Sequence, residues 1–248
     1  MLSKSQISFV RSLQLKKFRR EYNLFVVEGI KSVIEFIHSD YFIDAIFCTA
    51  DALPKLGKLS NKIKLIEAAV PDLHKLSSLT SPQEAIALVQ IPLQTAAKPE
   101  SFADAFTLVL DSIQDPGNLG TIIRTADWFG FTQLVCSNNT VDAYNSKVVQ
   151  ASMGSLSRIE VYYTDLENFL KDFQGKVYGA LLDGESIYET KFATRGLLVL
   201  GNEGNGISPE VQKLITHAVT IPAFGKAESL NVAISAAIFC SELKRNTK

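Results

Sequence analysis

The 248-residue sequence contains only three cysteines, Cys48, Cys136 and Cys240, widely spaced and without a C-x-x-C pair. That usage excludes a disulfide framework and a thiolate zinc site, and fits a reducing, cytoplasmic setting. Glycine and proline are also sparse, at 14 and 8 residues, which excludes collagen-like and low-complexity identities. The longest near-continuous apolar run, Val232 to Cys240, falls far short of the ~20 residues that span a bilayer. The first residues lack the apolar core of a secretion signal, so no membrane association is expected. His38, His74 and His217 stand alone in the sequence, and no metal site is expected. Neither G-x-G-x-x-G nor G-x-x-x-x-G-K-S/T occurs, which removes support for dinucleotide and nucleoside-triphosphate chemistry. A G-x-S-x-G elbow is missing too, and with it the usual hydrolase signature.

What is present describes a folded chain of one to two domains: 46% of residues are apolar and 21% charged. Formal net charge is −1, which argues against a globally basic nucleic-acid binder, yet the charge is segregated. Residues 1–99 carry 13 basic and 9 acidic side chains, whereas residues 100–248 carry 12 and 17. Lys4, Arg11, Lys16, Lys17, Arg19 and Arg20 occupy the first 20 positions with no acid among them. They read either as a foothold for a polyanion or as the solvated face of a helix.

Ser3 and Gln6 have capping-box spacing ahead of Ile7, Val10, Leu13 and Leu15, so the basic opening is expected to be a helix. Apolar runs predict strands at 24–27, 42–48, 63–66 and 85–91, with a helix over 70–79. Residues 92–103, with Pro92 and Pro99, form the best linker. Beyond it, strands are predicted at 106–110, 133–136, 158–162, 177–182, 196–200 and 218–221. Helices alternate with them, including one lined by Leu119, Ile122, Ile123 and Ala126 that ends at Gly130, one capped by Thr164 and Glu167, and one begun by Ser208-Pro209. This alternation predicts an α/β protein whose C-terminal sheet is mostly parallel with helices on both faces, preceded by a smaller α/β domain. The expected domains are 1–92 and 104–248, joined by a linker at 93–103.

Three polar, glycine-containing stretches each follow a predicted strand of the second domain, where the loops of a parallel sheet gather at its carboxyl edge. The first, DSIQDPGNLGTIIRTADWFGF at 111–131, carries Asn118 at a helix start and Arg124 off the apolar stripe. The second, LLVLGNEGNGIS at 197–208, empties a strand into three glycines around Glu203. The third, IPAFGKAESLNVAISAAIF at 221–239, sets Ser229 and Asn231 at the mouth of the last helix. Singly they are ambiguous: Asn118 and Ser229 read equally well as helix caps, Arg124 as a surface cation, and 201–206 as a flexible turn.

Together and in this order the three stretches resemble the SpoU-type, or TrmH-type, RNA ribose 2′-O-methyltransferases of the SPOUT superfamily. The first motif matches at Asn118 and Arg124, the second at Gly201, Glu203 and Gly204, the third at Ile221-Pro222 with Ser229-Leu230-Asn231-Val232. FVVEGIKSVIEFI at 25–37 and SPQEAIALVQIP at 81–92 are similar, less closely, to the small RNA-binding domain that many members carry. Two departures concern loop shape: Ala223-Phe224 replaces a Met-containing segment, and Gly117 stands where many members have His.

The resemblance implies transfer of a methyl group from S-adenosylmethionine to a ribose 2′-hydroxyl of rRNA or tRNA, with rRNA favoured. It implies a catalytic domain whose residues 196–248 form a trefoil knot, and a homodimer. By the same resemblance Leu200, Gly201, Glu203, Gly204, Ile221, Pro222, Ser229, Leu230 and Asn231 would hold the cofactor. Arg124 would activate the 2′-hydroxyl as a base or clamp the nucleotide as a cation, with Asn118, Glu203, Ser229 and Asn231 shaping the site. Lys16, Lys17, Arg19, Arg20 and Arg124 are the candidate RNA contacts. The alternative is a catalytically inactive RNA-binding or ribosome-associated protein of the same fold.

Overall fold

The computed structural model describes residues 2–93 and 95–246. The chain divides into two compact units, Met1–Leu93 with Asp142–Arg158, and Gln94–Val141 with Ile159–Lys248. The first unit opens with α1 (Lys4–Ser12), capped reciprocally: Gln6 N–H donates to Ser3 Oγ at 3.1 Å and Ser3 N–H to Gln6 Oε1 at 2.9 Å. The expected single basic helix is in fact two, because the chain turns at 13–15 and α2 (Lys16–Tyr22) follows. Asn23, in the left-handed region at φ 53°, ends α2 and turns the chain into β1 (Leu24–Glu28). The remaining elements are α3 (Ile30–Ile37), β2 (Ile43–Cys48), β3 (Lys64–Glu67), α4 (Val70–Leu76) and β4 (Ala85–Gln90). Their sheet runs β1-β4-β2-β3, with β4 antiparallel to both neighbours and β2 parallel to β3.

The second unit contains β5 (Phe106–Leu110), α5 (Pro116–Trp128) and β6 (Gln133–Ser137). The chain then passes through α6 (Ser146–Ser152), which belongs to the first unit, before β7 (Glu160–Thr164) and α7 (Leu166–Asp172). It continues with β8 (Val177–Ser186), β9 (Gly196–Leu200), α8 (Pro209–Gln212), β10 (His217–Thr220) and α9 (Val232–Asn246). The six strands are ordered β10-β8-β9-β5-β6-β7, and every pairing between them is parallel. Central strands covered on both faces read as unbroken apolar runs, and β5 and β9 are buried throughout.

Three expectations need correction. β7 begins two residues later than predicted because a 3₁₀ turn at Ser155–Ser157 precedes it. Asp165, not Thr164, caps α7: its carboxylate accepts from Asn168 N–H at 2.9 Å. β8 runs on to Ser186 and pairs with β10 through an irregularity between Ala218 and Val219. Gly184 stands there so close to the partner backbone that a Cβ would lie 2.7 Å from Val219 N.

Residues 142–158 form an excursion that the predicted uninterrupted domain over 104–248 did not include. Within the first unit, α6 packs on β1 and the Tyr144 ring lies 4.8 Å from that of Phe25. Arg158 pairs with Glu35. Arg19 donates to Asp142 Oδ2 from Nε at 3.1 Å and from Nη2 at 2.6 Å.

Candidate functional site

Because the strands of the second unit are parallel, their carboxyl ends share one edge, and the loops that leave β5, β9 and β10 converge there. The β9 loop is tied to the β5 loop at its base. Asp111 N–H donates to Leu200 O at 2.8 Å, and the buried Asp111 carboxylate accepts from Ser208 N–H at 2.8 Å. The loops enclose a cleft of about 750 Å³, walled by the middle of β8 at 180–182, residues 200–206, residues 220–225 and 227–230, and the first turns of α9.

Asn118 lies in the first turn of α5, but it is not the cap. Asp115 takes that role, accepting from Asn118 N–H at 2.8 Å, with Pro116 at the first helical position. The Asn118 side chain is therefore free to reach outward. Its Nδ2 donates to Glu203 Oε1 at 2.7 Å, and its Oδ1 accepts from Asn231 Nδ2 at 3.0 Å. Asn231 Oδ1 in turn accepts from Ala233 N–H at 2.9 Å and Ile234 N–H at 3.3 Å, capping α9. One side chain from each of the three motifs thus joins a single hydrogen-bonded set.

Leu200, Gly201, Glu203, Gly204, Ile221, Pro222, Ser229 and Leu230 all line the cleft. Ser229 is exposed, and the capping expected of it falls to Asn231. Gly201 has a structural reason: a Cβ there would lie 2.2 Å from Gly206 C and Ile207 N, both backbone atoms that cannot withdraw. Asn118, Arg124 and also Asn231, which was expected to hold the cofactor, are not cleft-lining residues; the Asn231 side chain turns instead to Asn118 and to the first turn of α9. Arg124 is exposed on α5, and among the described residues it has neither an ion pair nor a side-chain hydrogen bond.

Lys16, Lys17 and Arg20 are exposed on α2. Arg19 corrects the expectation for the basic segment. It is 2% exposed and, besides Asp142, its guanidinium donates to Leu13 O at 3.0 Å and Gln14 O at 2.8 Å. A cation so enclosed is a structural pin, not an RNA contact.

Two residues of the β9 and β5 loops are not marked by the sequence motifs. Asn202 bonds within its own loop and to Ser112 O, and Asp115 caps α5. An Asp directly before a Pro at a helix start is a readable cap signal; nothing in the sequence marks Asn202 beyond its place between Gly201 and Glu203. The cysteines are buried, and burial raises all three thiol pKa values, Cys240 to about 12, so none is an accessible nucleophile. Among the described residues no group of three His, Cys, Asp or Glu side chains could hold a metal ion, and no helix is long and apolar enough to cross a membrane.

A parallel sheet with a mixed polar and apolar cleft at its carboxyl edge defines an α/β protein built to hold a small organic ligand beside an open rim. Residues 105–241 match the SpoU rRNA Methylase family and residues 4–87 the MRM3-like substrate binding domain. The chain belongs to the SpoU rRNA methylase family.

It is 32% identical over 241 residues to the 23S rRNA (guanosine(2553)-2′-O)-methyltransferase RlmP of Bacillus subtilis, covering 94% of each chain. A solved structure assigned to the TrmH family of RNA methyltransferases, from Porphyromonas gingivalis, is 42% identical with a TM-score of 0.89 over 99% of both chains. An AdoMet-bound rRNA methyltransferase from Sinorhizobium meliloti is 26% identical, with a TM-score of 0.84 over 99% of this chain and 96% of that one.

Proposed function

We propose that this chain transfers a methyl group from S-adenosylmethionine to a ribose 2′-hydroxyl of RNA, that its substrate is rRNA rather than tRNA, and that it works as a homodimer. The observation that carries the reading is the Glu203–Asn118–Asn231 set, which draws three motifs separated by up to 113 residues onto the rim of one cleft. An inactive RNA-binding protein of the same fold would have no use for so specific an arrangement of polar side chains beside a cleft.

The residues present fit the cofactor. The cleft falls within the 300–1,000 Å³ typical of small-molecule sites. Ile221, Leu230 and Phe239 give it an apolar wall suited to an adenine ring, and Leu230 is still 49% exposed. Backbone around Gly201 and Gly204 offers hydrogen-bonding groups at close range. The carboxylates of Glu203 and Glu228 favour a ligand bearing positive charge. When bound, S-adenosylmethionine supplies a methyl group activated by a sulfonium centre.

The chain's own residues then align and polarise the second reactant. Orientation alone is worth on the order of 7–11 kcal/mol in well-aligned systems. Asn118 holds Glu203 and is itself held by Asn231, so that the rim is preorganised. Arg124, charged and uncommitted, is assigned the clamp: it grips the phosphate beside the target ribose and stabilises negative charge developing on the 2′-oxygen.

The finer features rest on particular observations. The exposed Lys16, Lys17 and Arg20 lie in the unit that matches the substrate-binding model, and we assign them phosphate contacts. A knot over residues 196–248, of which 247 and 248 lie outside the described residues, is supported by the path of 196–246: from β9 inside the sheet to β10 at its edge, then back along α9 onto α5. A dimer is supported by the exposed apolar side chains Trp128 of α5 and Ile234 of α9. Work in the cytoplasm is consistent with an RNA substrate; among the described residues no helix is long and apolar enough to cross a membrane.

Calorimetric titration with S-adenosylmethionine, followed by methyl transfer to rRNA from cells lacking the gene, tests the reading. Binding and a ribose methylation mapped to one rRNA nucleotide are expected; a folded protein that binds no cofactor would overturn it.

A further inference from the structure

The loop after β9 is organised by a side chain that none of the matched motif positions includes. An asparagine offers one carbonyl acceptor and two N–H donors, and Asn202 uses both ends. Its Oδ1 accepts from Gly204 N–H at 2.9 Å and from Asn205 N–H at 3.0 Å. Its Nδ2 donates to Ser112 O at 2.8 Å and faces Glu203 Oε2 at 3.4 Å. Its backbone exchanges hydrogen bonds with Gly206 in both directions, each at 2.9 Å, which closes the loop.

The Ser112 carbonyl is itself held in place. Ser112 has φ 59°, a conformation uncommon for a residue with a side chain. Its N–H donates to Ser137 Oγ at 2.8 Å and its hydroxyl to Asp111 Oδ1 at 3.0 Å. The amide of Asn202 is thus aimed by a fixed partner on one side and by two loop N–H groups on the other. Glu203 is met at Oε1 by Asn118 and at Oε2 by Asn202.

We infer that Asn202 is a positioning residue: its Nδ2 orients the Glu203 carboxylate, and its Oδ1 sets the backbone of 204–205 that borders the cleft. The reaction readout of this inference rests on the methyl-transfer reading, whereas the loop readout does not. Aspartate is the informative replacement, since it keeps the shape and the acceptor for Gly204 and Asn205 and loses the donor. An ionised carboxylate in place of this amide would oppose both the Ser112 carbonyl and the Glu203 carboxylate, which raises its pKa. Protonated, the new carboxyl regains a donor.

The experiment compares full-length Asn202→Asp and Asn202→Ala with the parent, after thermal unfolding has verified that both fold. In the cofactor-free protein, amide exchange at Gly204 and Asn205 should be near parental for Asn202→Asp and at least tenfold faster for Asn202→Ala. At about pH 8, kcat should fall roughly tenfold in Asn202→Asp with KM for RNA unchanged, as for loss of one hydrogen bond to a charged group. Relative to the parent, it should recover towards about pH 6, and Asn202→Ala should not. Parental kcat in Asn202→Asp at every pH, or a loss that does not recover, would overturn the positioning role. Should the parent itself transfer no methyl group, the functional reading fails, and exchange alone decides: parental exchange in Asn202→Ala refutes the inference.

Discussion

Asn118 and Glu203, 85 residues apart in the chain, share a 2.7 Å hydrogen bond from amide to carboxylate. A bond to a charged group is worth about 1.5–3 kcal/mol, and here it holds the rim of the cleft together. Asn118→Ala should lower kcat by roughly 10- to 100-fold while leaving thermal stability close to parental, because Asp115 still caps α5. Single-turnover methyl transfer measures this; a variant within about twofold of the parent would show that the bond has no part in the reaction.

Arg124 is expected to act on the substrate rather than on the fold. Arg124→Ala should reduce methyl transfer by about 10²–10³-fold, the range seen when one charge-stabilising donor is removed, with cofactor affinity unchanged by calorimetry. Arg124→Lys tests the clamp, since a lysine keeps the charge and loses the planar fork. Partial activity that does not vary with pH supports a clamp; activity that climbs with pH through the lysine range would identify a base.

The basic segment separates into two predictions. Lys16→Ala, Lys17→Ala and Arg20→Ala should each weaken RNA binding across sequences and reduce the slope of log K against log salt by about one for each phosphate no longer neutralised. Arg19→Ala should instead leave the slope alone and unfold the first unit more easily, by about 3 kcal/mol, because Asp142 would keep its position without its partner. Filter binding over a salt series and chemical denaturation distinguish the two.

Gly201→Ala tests the cradle. A methyl group 2.2 Å from the Gly206 and Ile207 backbone cannot be absorbed by a rotamer change. Cofactor binding should be lost while the first unit remains folded, as followed by calorimetry and by the amide spectrum of residues 1–93.

Acid should loosen the first unit through Asp72. Its carboxyl is held below the ordinary value of 3.8, mainly by the hydrogen bond from Lys75 Nζ at 2.9 Å and next by the one from Leu2 N–H at 3.0 Å. A depressed folded-state pKa stabilises the fold above the unfolded value, and the contribution disappears as pH falls below 3.8 through the folded value. Asp72→Asn should therefore be less stable than the parent at neutral pH and show a flatter acid limb below about pH 4. Parallel denaturation curves at all pH values would remove Asp72 from the account.

The sequence was most legible where one signal governed the outcome. β5 and β9 form over the stretches expected, since Leu108–Leu110 and Leu197–Leu200 are apolar runs and Thr107, the one polar residue in either strand, is β-branched and suits an extended chain. The Ser3–Gln6 capping box formed as its spacing implies. Legibility failed where partners lie far apart in the chain. Arg19 looks like its basic neighbours until Asp142, 123 residues away, closes on it. Asn118 and Ser229 each read as caps; the Asp115-Pro116 pair is the stronger signal for α5, whereas only the folded arrangement shows that Asn231 caps α9. β7 was displaced because a short 3₁₀ turn has no periodicity long enough to read.

The excursion of residues 142–158 into the first unit bears on the order in which the protein can be made. Translation delivers residues 1–93 early, yet Tyr144, which packs on Phe25, and Asp142, which neutralises Arg19, emerge only after β5, α5 and β6 have been synthesised. Until then the nascent first unit has a Phe25 ring packed on Phe36 and Tyr41 but lacking Tyr144, and an Arg19 without its carboxylate partner, the kind of incompletely covered surface that chaperones shield. Its completion marks the moment when the second unit has also begun to form.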